Sequence, residues 1–95
     1  ASNKRRLYKL VLEHCPCFTA DDIRRLLKRI DAEFEPIIHK LEMAKIETLR
    51  TCPDESEREL DSKVSYLTFE ADDEATNLEK RLRDEIINEH QLKLN

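Results

Sequence analysis

Apolar side chains recur along the middle of the chain at Ile23, Leu27, Ile30, Phe34, Ile37, Leu41 and Ala44, with Thr48 following. The steps alternate between four and three residues, which holds one stripe on one face of an α-helix and forms a heptad pattern over about three and a half repeats. Leu26, Ile38 and Leu49 widen the stripe beyond a two-stranded seam, which predicts packing against more than one neighbour. A second stripe runs through Leu60, Val64, Leu67, Ala71, Ala75, Leu78, Leu82 and Ile86, and its period drifts from seven toward eleven residues. Only alanines fill it between Glu70 and Asn77, so the last helix is expected to be weakest there and to bend or recap at Asp72 or Asp73. A short stripe of Leu7, Leu10 and Val11, with Tyr8 beside it, predicts a first helix over about residues 3–14, capped by Ser2.

Prolines and caps divide these helices. Pro16 breaks the chain at Cys15-Pro16-Cys17-Phe18, because it lacks an N–H and disfavours helix at Cys15. Thr19 then caps a new helix that has Asp21 and Asp22 in its first turn, where negative charge suits the helix dipole. Pro36 interrupts that helix, but the stripe keeps its phase, which predicts a kink rather than a loop. Pro53 ends it, and Asp54 with Glu57 reads as the capping box of the last helix. The predicted architecture is all-α. Residues 1–18 form a short basic helix and a Cys-Pro-Cys turn, and residues 19–95 form a long antiparallel helical hairpin of coiled-coil character (helices about 20–50 and 55–93), all within one domain. A lone hairpin buries little, so assembly into a helical bundle is expected.

Composition supports this reading. The chain contains no glycine, and 40% of its residues are charged. Sandwiches, barrels and glycine-rich phosphate loops all need positive-φ positions that glycine fills most cheaply, so those classes are excluded together. Charge is unevenly spread: residues 1–30 carry eight Lys/Arg against three acids, and residues 31–95 carry nine against eighteen. Arg24, Arg25, Lys28 and Arg29 share a polar helical face opposite Ile23 and Leu27, a candidate patch for an acidic partner, nucleic acid or a microtubule. Interleaved aromatics are lacking, so a soluble outward face, or pairing with the acidic residues of 54–74, is the favoured reading.

Candidate chemistry is sparse. His14, Cys15 and Cys17 have metal-ligand side chains, but zinc usually takes two closely spaced pairs, and Cys52 has only Pro53 beside it. His14 and Cys15 are adjacent in sequence and do not face each other as a nucleophile and base must. The clusters Asp54-Glu55 and Asp72-Asp73-Glu74 lack calcium-loop spacing. No catalytic residue, metal or cofactor is therefore expected. Three cysteines, an odd number, and no apolar leader predict reduced thiols in the cytoplasm or nucleus, and no segment is apolar enough to span a membrane.

The stretch Leu27-Lys28-Arg29-Ile30-Asp31-Ala32-Glu33-Phe34-Glu35, followed by Ile38 and Leu41-Glu42, is similar to the N-terminal helix of Borealin-type chromosomal passenger proteins. That similarity is confined to residues 27–42 and lacks the segment that follows in that family. The two long helices resemble in texture the neck and stalk of mitotic kinesins. Either resemblance implies a cell-division scaffold. The expected function is a non-enzymatic oligomerisation or scaffold segment of a larger eukaryotic protein, cytoskeletal, mitotic-motor or chromosomal in setting. It would self-associate or take a helical partner chain through Ile23, Leu27, Ile30, Phe34, Ile37, Leu41, Leu60, Val64, Leu67, Leu78, Leu82 and Ile86. The alternative is a basic-patch domain that binds nucleic acid or microtubules.

Overall fold

The computed structural model describes residues 2–94, which form three helices and no strand: α1 (Ser2–Glu13), α2 (Ala20–Thr51) and α3 (Glu57–Leu94). Thr19 and Asp22 make a reciprocal capping box at the start of α2. The Thr19 hydroxyl accepts from the Asp22 N–H (3.2 Å), and the Asp22 carboxylate accepts from the Thr19 N–H (2.9 Å). Lys93, from the far end of α3, also reaches this carboxylate at 2.8 Å. With these partners, the Lys93 contact first among them, the Asp22 pKa falls to about 2.

Two caps differ from the sequence expectation. Ser2 is already helical rather than the cap of α1. α3 starts at Glu57, and Ser56 rather than Asp54 caps it, its Oγ accepting from the Glu59 N–H at 3.3 Å. The shorter serine, directly before the first helical residue, has its oxygen in reach of the free amides.

α2 and α3 run antiparallel in a register marked by a ladder of ion pairs. Arg25 meets Glu89 at 2.5 Å, Arg29 meets Glu85, Arg81 meets Glu33 at 2.6 Å and Lys40 meets Glu74 at 3.2 Å. Each advance along α2 is matched by an equal retreat along α3. Exposed pairs of this kind contribute little stability individually, so the ladder specifies register more than it stabilises.

α1 folds back beside α2 and runs parallel to α3. Near its start, Lys4 (3.0 Å) and Tyr8 engage Asp31, and Asn3 and Arg6 engage Glu79. Past its end, Phe18 packs edge-on against His90, and the Cys17 N–H donates to His90 Nε2 at 3.2 Å. His90 therefore has a structural place, although nothing in its local sequence points to one.

The core lies where three helices meet. Leu7 and Val11 of α1, Cys15 and Phe18 of the turn, Leu26, Ile30 and Phe34 of α2, and Ala75, Leu78, Leu82 and Ile86 of α3 are buried together. Beyond the start of α1 the hairpin continues alone, and between Glu35 and Glu74 no residue is fully buried. The molecule is accordingly a three-helix base carrying a two-helix arm, 61 Å long and 18 × 16 Å across.

Both long helices run unbroken through their suspect segments, α2 through Pro36 and α3 through residues 70–77. Pro36 has no N–H to give the Ala32 carbonyl its intrahelical donor, and both residues are exposed, which keeps the cost of the lost bond low. Pro36→Ala should restore that bond and stabilise the fold by about 2 kcal/mol, read as a higher Tm in thermal unfolding. An unchanged or lower Tm would show that the proline geometry favours this helix.

Candidate interaction surface

In the base, charge fixes α1 on an apolar seat. The Glu79 side chain is buried and accepts from three directions: Arg6 Nη2 at 2.6 Å, Asn3 Nδ2 at 2.8 Å and Arg83 Nη2 at 3.2 Å. The Arg6 guanidinium foremost, then Asn3 and Arg83, hold the carboxyl at a pKa of about 2, against the opposing effect of burial. Tyr8 donates to Asp31, which lowers the Asp31 pKa with help from Lys4 and raises that of the tyrosine. The Cys15 thiol, buried in the turn, is pushed up by desolvation, away from nucleophilic use.

In the arm, the seam has only one partner helix. Ile37, Leu41, Leu60, Val64 and Leu67 sit between α2 and α3 yet stay half-buried. Two cylinders touch along one line, so each seam side chain keeps an open flank. Ile38, Met43, Ile46, Leu49, Tyr66 and Phe69 are exposed along the arm, on several of its faces. Thr48, Ser62, Lys63, Tyr66 and Leu67 line a shallow, largely apolar depression of about 390 Å³. Scattered apolar side chains are ordinary on a protein surface; the half-open seam and the apolar depression beside it are the features of an interaction surface.

The twelve expected seam residues thus divide. Ile30, Phe34, Leu78, Leu82 and Ile86 are buried within the chain, and Ile23 and Leu27 flank that core. Ile37, Leu41, Leu60, Val64 and Leu67 carry the half-open line of the arm and its root. Leu26, placed beside the stripe by its spacing, is 1% exposed and belongs to the core that the three helices share.

The basic quartet is largely engaged within the chain. Arg25 and Arg29 belong to the ladder, and Arg24 pairs with Asp21 at 3.0 Å. Lys28 has no ion-pair partner among the described residues. The quartet's partners on α3 are Glu85 and Glu89, not the acids of 54–74, since the antiparallel register brings the start of α2 against the end of α3.

Among the described residues no cluster of three or more His, Cys, Asp or Glu could hold a metal ion, and no helix is long and apolar enough to cross a membrane. All three cysteines are free thiols, Cys15 buried, Cys17 exposed and Cys52 between these extremes. No family model, curated protein or solved structure matches the chain.

Proposed function

We propose that this chain is a non-enzymatic protein-interaction segment, a scaffold or oligomerisation element of a larger intracellular protein, whose three-helix base supports the arm as its association surface. The observation that carries this reading is the contrast along one continuous hairpin: where α1 lies on it most of the seam is buried, with Ile23 and Leu27 half-buried at its flank, and where α1 does not lie no seam residue is buried. A surface completed by a third helix in one half invites completion by another chain in the other. A cell-division or cytoskeletal setting rests only on the two sequence resemblances.

The nucleic-acid or microtubule reading is less well supported. Three of its four cations have acidic partners inside the chain, which reduces the free charge available to a polyanion.

Amide hydrogen exchange on the monomer, checked by sedimentation, tests the proposal. Amides over residues 38–50 and 58–72 should exchange roughly a hundredfold faster than those over 26–34 and 78–86, and should become protected on association. Equal protection of arm and base in a strict monomer would mean that the arm is complete without a partner.

A further inference from the structure

The base contains a worked example of what the arm lacks. α1 is a short amphipathic helix with Leu7 and Val11 on its buried side and Lys4, Arg5, Arg6 and Lys9 around them. It is held where an apolar floor from α2 and α3 lies between two acids, Asp31 on α2 and Glu79 on α3.

This floor and these acids recur along the arm. Seven residues from Glu79 toward the tip, two helical turns on the same face of α3, stands Asp72; eleven residues beyond Asp31, three turns on the same face of α2, stands Glu42. Both are exposed, and neither has an ion-pair partner among the described residues. The Lys40–Glu74 rung sets the register and puts the two acids level with each other across the hairpin. Between them, Leu41, Thr68 and Ala71 are half-buried, and Ile38 is exposed one heptad beyond Asp31. Charge points the same way. Residues 36–74 carry eleven acidic against five basic side chains, whereas α1 carries four basic against one acidic. Lys45, half-buried on this flank, is the cation inside the site.

We infer that the α1-facing flank of the arm, floored by Leu41, Thr68 and Ala71 and rimmed by Glu42 and Asp72, is a docking site for a basic amphipathic helix of a partner protein. The helix lies as α1 lies on the base, its apolar stripe in the seam and its Lys/Arg side chains on the two acids. This deepens the proposed function and rests on it. On the opposite face of the arm the rung Lys40–Glu74 already occupies one acid, and α1 gives no precedent there, because it lies on the other flank. Association driven by such complementarity weakens with salt.

A synthetic peptide of the α1 sequence, residues 2–13 with acetylated and amidated ends, is a suitable probe, since the intact chain keeps its own α1 on the base at high effective concentration. Titrated into the isotope-labelled full chain, it should shift the amide resonances of Ile38, Leu41, Thr68 and Asp72 and leave those of Leu26 and Leu82 unmoved. Glu42→Lys and Asp72→Lys together should weaken it roughly tenfold, and a peptide with its four cations replaced by Glu should not bind. Both positions are exposed, so the double variant should keep the wild-type spectrum of the base.

Three results would overturn the inference: no shifts up to millimolar peptide, shifts confined to the ladder face around Lys40 and Glu74, or displacement of α1 from the base. Self-association of the chain through the arm, without peptide binding, would assign the flank to a second copy. That outcome rejects a foreign basic helix while preserving the interaction role, whereas equal exchange protection of arm and base would reject the interaction role itself.

Discussion

Leu82→Ala should lower the unfolding free energy by about 3 kcal/mol, whereas Leu60→Ala, on the same helix and in the same stripe, should cost about 1 kcal/mol or less. Leu82 is 1% exposed in the core with α1 and α2, and truncating it leaves a cavity that the surrounding helices cannot fully close. Leu60 is half-buried near the tip, where only one helix faces it and water already reaches its flank. A domain of this size is stable by roughly 5–10 kcal/mol, so the first substitution removes a large share of the total. Urea unfolding followed by circular dichroism measures both, as long as the transition remains two-state and its slope is unchanged. Equal costs at the two positions would contradict the division into base and arm.

The second large effect concerns Glu79. Its pKa is depressed in the folded chain, from 4.5 to about 2, mainly by Arg6 and further by Asn3 and Arg83. The folded state therefore favours the ionised form. The stabilisation is fully present above pH 4.5 and is lost as pH falls toward 2. Glu79→Gln should destabilise the chain by about 2 kcal/mol at pH 7, less than the full shift implies because Arg6 is half exposed and solvent screens the pair. At pH 2 the gap between the variant and the native sequence should almost vanish. Asp22 and Asp31 are depressed as well and lose their own contributions under acid, so the quantity to follow is the difference between the two proteins. A gap of the same size at pH 7 and pH 2 would mean that Glu79 acts by shape rather than by charge. Exchange of the Leu7 and Val11 amides provides a local readout, since loosening of this anchor releases α1 first.

Much of the fold was legible in the sequence because its signals are local. The capping box at Thr19 and Asp22 and the stripe from Ile23 to Thr48 act within a few residues of one another, and α2 starts and ends within a residue of the expected limits. The same locality explains the missed cap at Ser56: Asp54 and Glu57 satisfy a spacing rule, but the first helical residue depends on where the turn after Pro53 ends. The candidate surface was less legible. Heptad spacing identifies seam residues without revealing how many helices will face them, so Leu82 and Leu60 look alike in the sequence although only one is buried. His90 gave no signal because its partners, Cys17 and Phe18, lie far away along the chain.

The sequence by itself determined the all-α class, the three helices, and the apolar face of each. These follow from proline, capping chemistry and a 3.6-residue period, all of which operate over neighbouring residues. Only the tertiary structure decided that α1 covers the lower hairpin alone, that Arg25 and Arg29 are engaged by α3, and that Glu79 anchors the first helix. Each of these depends on contacts between residues more than twenty positions apart, whose meeting is fixed by the register of the packed helices.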